Sequence, residues 1–180
     1  MDSKAIKRFD LEICDSTNEV AKSMIETMTT PFCVTSKAQT KGKGTMGKSF
    51  YSPKGKGLYM SVVSFKQINP ESIHEITHRV ATIINNIINH TYHLDAVVVL
   101  PNDIYIKNKK LCGILTETSL SLRQDRYDAT IIGIGLNLFK DEKLPEDLKE
   151  IYTSLDQHTH QPIDFDQLVD QILQSLSTII

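Results

Sequence analysis

Glycine and lysine alternate in one short stretch of the chain, and this stretch offers chemistry for binding an anion. Residues 41–48 read Lys-Gly-Lys-Gly-Thr-Met-Gly-Lys. Glycine allows positive φ angles and brings backbone N–H groups close to a bound group, and lysine adds point charges. The pattern therefore predicts a cradle of free N–H groups for a carboxylate or a phosphate. A flexible, basic surface loop is the alternative that this stretch alone leaves open.

The glycine spacing in this loop also matches a dinucleotide-binding fingerprint. Gly42, Gly44 and Gly47 have the spacing G-x-G-x-x-G, which requires a helix directly after the glycines. Pro53 follows instead, and it biases the residue before it toward an extended backbone. The next apolar run, residues 58–65, has the pattern of a strand. The loop is therefore expected to join two strands, which argues against a Rossmann-type site.

A zinc-protease pattern, H-E-x-x-H, occurs between His74 and His78. At about 100° per residue, both histidines fall on the helix face opposite the isoleucine stripe. A zinc enzyme buries such a pair beside a third ligand and an open metal position. The sequence therefore favours a coincidental match on a solvated helix face.

Polar residues at the ends of predicted elements are further candidates. Ser16 followed by Glu19 predicts a capping box at the start of a helix, and a helix N-terminus also offers N–H groups to a polar ligand. Gln39 is expected at the mouth of the glycine loop. Asp103 and Lys110 lie on the two strands of a predicted hairpin. They form either a surface ion pair or a pair of groups that face magnesium and an anion.

Glycine also interrupts two predicted strands. Gly113 lies in the strand over residues 110–117, and Gly133 and Gly135 lie in the apolar run 129–138. A missing side chain leaves room on one face of a strand. The space could hold a flat ligand or a closely packed neighbour, and both interpretations remain open.

Strands and helices alternate around these candidates. The hydrophobic periodicity predicts strands over 9–13, 32–38, 58–65, 96–100, 104–106, 110–117 and 129–138. It predicts helices after Ser16, from residue 69 onward, over 145–152 and after Asp164, where Asp164 is the N-cap. Residues 122–127 are read as a polar connection.

Composition sets the broad class of the protein. The chain has 180 residues, 40% hydrophobic and 23% charged, with a net charge of −2, which suits one globular domain and gives no general signal for nucleic acid. The N-terminus is polar, and no apolar run is long enough to span a bilayer. Cys14, Cys33 and Cys112 are odd in number and lack metal-ligand spacing. We therefore expect a cytoplasmic protein that binds neither nucleic acid nor membrane.

Five motifs, in order along the chain, together resemble the catalytic domain of biotin protein ligases. They are Ser16-Thr17-Asn18; Gln39 with the 42–48 loop and Ser52-Pro53; Pro101-Asn102-Asp103; Lys110-x-x-Gly113-Ile114-Leu115-x-Glu117; and Gly133-Ile134-Gly135-Leu136-Asn137. The resemblance implies an α+β fold with a mixed, mostly antiparallel sheet flanked by helices, as in class II aminoacyl-tRNA synthetases. It implies one catalytic domain over residues 1–180, without the N-terminal helix-turn-helix domain or C-terminal β-barrel of some relatives.

The same resemblance implies a two-step, ATP-dependent reaction. ATP and Mg²⁺ convert biotin to biotinyl-5′-AMP, and a lysine of the biotin carboxyl carrier domain of a biotin-dependent carboxylase then takes the biotin. An exposed edge strand could support a homodimer. A lipoyl or octanoyl transferase and a non-catalytic biotin-binding homologue are the alternatives, and the pairing of Gln39 with the lysine-rich loop favours biotin.

Residue roles follow from the resemblance, position by position. It implies biotin contacts from Ser16, Thr17, Asn18, Gln39, Gly42, Lys43, Gly44, Thr45, Lys110 and Gly113, and ATP contacts from Lys48, Asn102, Asp103 and Asn137. Lys43, Asp103 and Lys110 are assigned to catalysis, and Asp103 also to Mg²⁺.

The sequence departs from the family pattern at positions that bear on activity. The loop arginines of the family are Lys43, Thr45 and Lys48 here, and Phe50 stands in place of a tryptophan. Val99 replaces a lysine before the Pro-Asn-Asp motif. Lysine does not reproduce the bidentate guanidinium, so we expect reduced activity or weak retention of the adenylate.

Overall fold

Runs of β-branched and apolar residues form the strands of a single sheet in the computed structural model, which describes residues 6–66, 68–120 and 127–180. The strands are β1 (Lys7–Leu11), β2 (Phe32–Ser36), β3 (Gly57–Ser64), β4 (Val97–Val99), β5 (Asp103–Ile106), β6 (Lys109–Leu120) and β7 (Tyr127–Asn137). Their order across the sheet is β1-β2-β3-β7-β6-β5-β4. Strands β1 and β2 are parallel, and the other neighbours are antiparallel. The predicted mixed, mostly antiparallel sheet is confirmed.

Three helices cover the sheet with their apolar stripes. They are α1 (Thr17–Met24), α2 (Ile73–Tyr92) and α3 (Phe165–Leu176). Ile76, Val80, Ile84 and Ile88 are buried along α2 at the spacing of a helical stripe. Helices α2 and α3 belong to the larger hydrophobic cluster, and α1 belongs to a smaller one.

Alternate residues of β7 point to opposite faces of the sheet, and this alternation separates the two clusters. Ile132 and Ile134 belong to the larger cluster, whereas Ile131 belongs to the smaller cluster with α1. Gly133 and Gly135 share the face of Ile131, because every second residue of a strand points the same way. Helix α1 has eight residues and is only about 12 Å long. Other groups must therefore cover this face where the glycines lie.

Two predicted helical features are wrong. Ser16 is the N-cap residue of α1, but its side chain makes no cap hydrogen bond, and no capping box forms with Glu19. Lysine side chains take the Glu19 carboxylate instead. The helix predicted over 145–152 is reduced to the 3₁₀ turn Glu146–Leu148. This segment leaves Ile151 exposed, and a short helix without a buried stripe is unstable.

The ends and edges of the other elements largely follow the sequence. Lys107 and Asn108 adopt positive φ angles in the predicted β5–β6 turn, and Asp164 caps α3 by accepting from the Gln167 N–H. Strand β4 is an edge of the sheet, where Val99 is 42% exposed. The homodimer through an edge strand stays a prediction. Residues 122–126 of the predicted polar connection lie outside the described residues.

The H-E-x-x-H segment lies on the solvent side of α2, as predicted. His74, Glu75 and His78 are all exposed. Across the described ranges, no group of three side chains is placed to hold a metal ion. Nor does any helix within these ranges have the length and apolar character that a membrane crossing requires.

Candidate functional site

The glycine loop forms a tight hairpin between β2 and β3. The Phe50 N–H donates to the Gly42 carbonyl (2.8 Å), and the Gly44 N–H donates to the Lys48 carbonyl (2.7 Å). The tip is a 3₁₀ turn, Thr45–Gly47, in which Gly47 has a φ of 73°. The predicted cradle of free N–H groups is therefore wrong in part, because several of these groups are used within the hairpin. The lysine side chains remain to bind an anion.

The hairpin places the ring of Phe50 over the glycines of the sheet. Gly113 and Gly135 are directly paired across β6 and β7. A Cβ atom on Gly135 would lie 2.5 Å from Phe50 Cε1, and one on Gly113 would lie 3.3 Å from Phe50 Cε2. The room predicted on this face exists, and an aromatic side chain uses part of it.

A small cavity of about 40 Å³ lies between α1, the hairpin and the glycine face of the sheet. Nine of the ten residues predicted to contact biotin line it: Ser16, Thr17, Asn18, Gln39, Lys43, Gly44, Thr45, Lys110 and Gly113. The tenth, Gly42, does not line it, and a Cβ atom there would lie 2.6 Å from Ser52 Oγ. Residues that are far apart in the sequence therefore meet at one site.

Hydrogen bonds fix the polar end of this small cavity. The Thr17 N–H donates to Gln39 Oε1 (2.8 Å), and Gln39 Nε2 donates to Ser52 Oγ (2.8 Å). The Gln39 amide is therefore held in one orientation. The buried Ser16 hydroxyl makes no cap bond to α1, so it is available to a ligand.

Asn18 is held equally firmly on the floor of the small cavity. Its Oδ1 accepts from the Ser61 hydroxyl (2.5 Å), and its Nδ2 donates to Glu117 Oε2 (2.6 Å). A Cβ atom on Gly133 would lie 2.5 Å from Asn18 Oδ1. The close approach of Asn18 therefore requires glycine at position 133.

A second cavity of about 260 Å³ adjoins the first. It is lined by Lys48, Asp103 and Asn137, three of the four residues predicted to contact ATP. The fourth, Asn102, lines the small cavity instead, and its Nδ2 donates to the Ile114 carbonyl (2.9 Å).

Aromatic residues supply much of the remaining wall of the second cavity: Phe50, Tyr51, Tyr105 and Tyr152. Tyr51 donates to Asp141 Oδ2 (2.7 Å), and its ring meets Tyr152 edge to face. Burial and this hydrogen bond raise the pKa of Tyr51 to about 12. The neutral phenol acts as a donor to Asp141, and aromatic side chains of this kind can pack against a flat ring.

Lys110 lies where the two cavities meet, since it lines both. Its Nζ is 2.7 Å from Asp103 Oδ1 and 5.9 Å from the centre of the Phe50 ring. Asp103 Oδ1 is buried and has no well-aligned hydrogen-bond donor among the described residues, so its contact with Lys110 is mainly an ion pair. Of the two interpretations left open for Asp103 and Lys110, the ion pair is observed. Their roles toward Mg²⁺ and an anion stay predictions.

The backbone of Lys110 is fixed by the segment that follows β7. Its N–H donates to the Ile151 carbonyl (2.7 Å), and its carbonyl accepts from the Thr153 N–H (3.0 Å) and from Asn137 Nδ2 (3.2 Å). Asn137 therefore positions the strand that carries Lys110.

Three residues of the site have no role in the sequence-based assignment. Ser61 lies on β3 and contacts Asn18, whereas Glu19 and Lys22 lie on α1 and carry charge toward the hairpin and the sheet. The sequence did contain a signal for Ser61, because its hydroxyl lies within the apolar run 58–65. The two charged residues of α1 gave none, because solvated helix faces commonly carry such charges.

Known proteins share both the sequence and the fold of this chain. The model of the biotin/lipoate A/B protein ligase family matches residues 11–137. The bifunctional ligase/repressor BirA of Bacillus spizizenii is 34% identical over 136 residues, which are 75% of this chain and 41% of the relative. BirA of Escherichia coli is 26% identical over 128 residues, 71% of this chain and 39% of the relative. The matches thus span about two fifths of these relatives.

Solved structures of biotin protein ligases have a closely similar fold. The Aquifex aeolicus enzyme in complex with biotin and ATP has a TM-score of 0.79 and 26% identity, covering 96% of this chain and 69% of that one. The Leishmania major enzyme in complex with biotinyl-5-AMP has a TM-score of 0.79 and 25% identity, covering 96% and 74%. The matched range 11–137 includes the hairpin and strands β2 to β7, and the chain belongs to the biotin/lipoate A/B protein ligase family.

Proposed function

We propose that the protein is a biotin protein ligase that joins biotin to AMP and then passes the biotin to a lysine of a biotin carboxyl carrier domain. Biotin would occupy the smaller cavity, and ATP would occupy the larger one. The observation that carries the proposal is the position of Lys110, whose side chain lines both cavities. The relatives named above, two of which bind biotin with ATP or biotinyl-5-AMP, support the same assignment.

The first step brings two anionic groups together, and the position of Lys110 suits that step. A carboxylate oxygen of biotin attacks the α-phosphorus of ATP, the bond to the β-phosphate breaks, and pyrophosphate leaves. Positive charge placed where negative charge accumulates stabilises such a transition state. Lys110 supplies this charge at the junction, and Lys43 and Lys48 supply it from the hairpin.

The second step transfers the biotinyl group to an amine. The carrier lysine attacks the acyl carbon of biotinyl-5′-AMP, AMP leaves with the pair of electrons from the broken C–O bond, and the amine loses a proton. The closed hairpin would protect the mixed anhydride from water until the lysine arrives.

Magnesium would enter this site with ATP. Mg²⁺ is usually held by one or two carboxylates together with substrate phosphates and water, and Asp103 is the carboxylate among the described residues that line the larger cavity. Its Oδ1 lies 2.7 Å from Lys110 Nζ, so Mg²⁺ would share this carboxylate with the lysine. The ion would neutralise phosphate charge when bound.

The hairpin must move before biotin can bind. The smaller cavity has a volume of about 40 Å³, far below the roughly 300–1,000 Å³ of typical small-molecule sites. Phe50 and the hairpin fill the space above Gly113 and Gly135. We therefore propose that opening of the hairpin admits biotin and that closing it completes the site.

Mass spectrometry of a carrier domain tests the function directly. The protein is incubated with biotin, ATP, Mg²⁺ and a biotin carboxyl carrier domain, and we expect the mass of the carrier to increase by one biotinyl group. The control is a carrier in which the acceptor lysine is replaced by arginine. No transfer, despite calorimetric binding of biotin, would support the non-catalytic alternative. Transfer of octanoate or lipoate in place of biotin would overturn the assignment of the substrate.

A further inference from the structure

A continuous series of charged and polar contacts links the hairpin to the sheet. Lys43 Nζ lies 2.6 Å from Glu19 Oε1, and the same oxygen lies 3.3 Å from Lys22 Nζ. Lys22 Nζ also lies 2.7 Å from Glu117 Oε1, and Glu117 Oε2 accepts from Asn18. The hairpin, helix α1 and strand β6 are thus connected along one side of the smaller cavity.

Glu19 is the point at which the hairpin joins this series. It lies on helix α1, whereas Lys43 lies on the hairpin and lines the smaller cavity. The hydrogen bond from Lys43, assisted by the charge of Lys22, lowers the pKa of the Glu19 carboxyl. Glu19 therefore stays ionised at neutral pH. Lys22 also pairs with Glu117 of strand β6. Lys22 therefore links Glu19 to the sheet.

We propose that Glu19 is a positioning residue, a latch that holds Lys43 and the closed hairpin over the smaller cavity until an anionic ligand takes over the lysine. The second half of this proposal rests on the proposed function, because it requires biotin or its adenylate in the cavity. The Lys43 and Glu19 side chains are 45% and 44% exposed, and half-exposed ion pairs are weak. Such a pair can hold a hairpin and still exchange readily for a carboxylate or a phosphate.

Hydrogen exchange of the ligand-free protein tests the latch without reference to any reaction. Glu19→Gln keeps the shape of the side chain and removes its charge. We expect the hydrogen-bonded hairpin amides of Gly44 and Phe50 to exchange up to about fivefold faster, as expected for loss of one half-exposed pair. Unchanged exchange in this variant would overturn the proposal.

The matched control is Glu12→Gln. Glu12 also lies between two lysines, Lys37 and Lys54, but it lines neither cavity. We expect the hairpin amides of this variant to exchange at the rate of the parent protein. An equal increase in both glutamine variants would show a general charge effect and would refute the latch.

A double-mutant cycle shows whether Glu19 acts through Lys43. In the Lys43→Gln background, Glu19→Gln should have no further effect on hairpin exchange, because the pair is already broken. A full additional effect would mean that Glu19 acts through Lys22 or the fold, and the proposal would fail.

Stopped-flow binding of biotin tests whether Lys43 exchanges its partner Glu19 for the ligand. We expect biotin to associate with Glu19→Gln up to about fivefold faster than with the parent protein, because the hairpin opens more often. A merely destabilised fold would not accelerate association, so an unchanged or slower rate would refute this half of the proposal. If the parent protein bound no biotin, the proposed function would fail, while hydrogen exchange would still decide the latch.

Discussion

Adding a single methyl group at Gly133 should damage both the packing and the site. In Gly133→Ala the new Cβ atom would lie 2.5 Å from Asn18 Oδ1 and 3.1 Å from Asn18 Cγ. Asn18 cannot simply rotate away, because it accepts from Ser61 and donates to Glu117. Either these hydrogen bonds break or β7 and α1 move apart.

The expected cost follows from these contacts. Overpacking a filled interior typically costs about 1–3 kcal/mol, and each lost hydrogen bond adds about 0.5–1.5 kcal/mol. Replacing glycine by alanine restrains the unfolded chain and returns about 0.4–1 kcal/mol. With one hydrogen bond lost, we therefore expect the free energy of unfolding to fall by roughly 0.5–4 kcal/mol. For a domain of this size, each kcal/mol lowers the Tm by about 2–4 °C.

Urea titration and calorimetry with biotin measure the two effects of Gly133→Ala. We expect at least a tenfold rise in the Kd for biotin, about 1.4 kcal/mol, because Asn18 lines the smaller cavity. The control is the same substitution in an Asn18→Ala background, where the methyl group has room. There the further loss of stability should be smaller by at least about 0.5 kcal/mol.

Two results would contradict the reasoning about Gly133. The first is a Gly133→Ala protein with the stability and the biotin affinity of the parent. The second is an equal cost of the methyl group with and without the Asn18 side chain, which would place the strain elsewhere on β7.

Three further substitutions test other parts of the site and the fold. Lys110→Ala should slow pyrophosphate release by about 100-fold or more. It should leave the Tm within a few degrees, because the pair with Asp103 is partly exposed. Unchanged release would contradict the role of Lys110. Thr45→Arg places a guanidinium at a position that lines both cavities. It should slow adenylate release about tenfold, measured by filter retention of labelled adenylate. Equal release would show that position 45 does not contact the adenylate. Asp164→Ala removes the cap of α3. It should lower the free energy of unfolding by about 1 kcal/mol without changing adenylate formation. An unchanged urea midpoint would contradict the role of the cap.

Local patterns in the sequence predicted most of the elements, because each pattern reports on the burial of its own segment. The isoleucine spacing predicted α2, and the alternating and apolar runs predicted the strands. The pattern failed over residues 145–152, where the helix shrinks to a single turn. Whether a short amphipathic segment forms a full helix depends on the surface available to cover it, which the segment itself does not encode.

Contacts between distant segments decided how the site residues are used. The Ser16–Glu19 spacing predicted a capping box, but lysines on α1 and on the hairpin compete for the Glu19 carboxylate and take it. The glycine loop predicted free N–H groups, but the loop closes into a hairpin that uses several of them. In the first place, a contact between residues 24 positions apart replaced a local hydrogen bond. In the second, hydrogen bonds within the hairpin used N–H groups that were expected to be free.

By itself, the sequence predicted most of the polar residues that line the two cavities, because motifs of fixed spacing carry these amides, hydroxyls and lysines. Only the tertiary structure decided that Lys110 stands between two cavities, that Phe50 rests on paired glycines, and that Lys43 is held by Glu19. The physical reason is separation along the chain. Lys22 and Glu117 are 95 residues apart, and a salt bridge over that distance forms only after the sheet has brought its strands together.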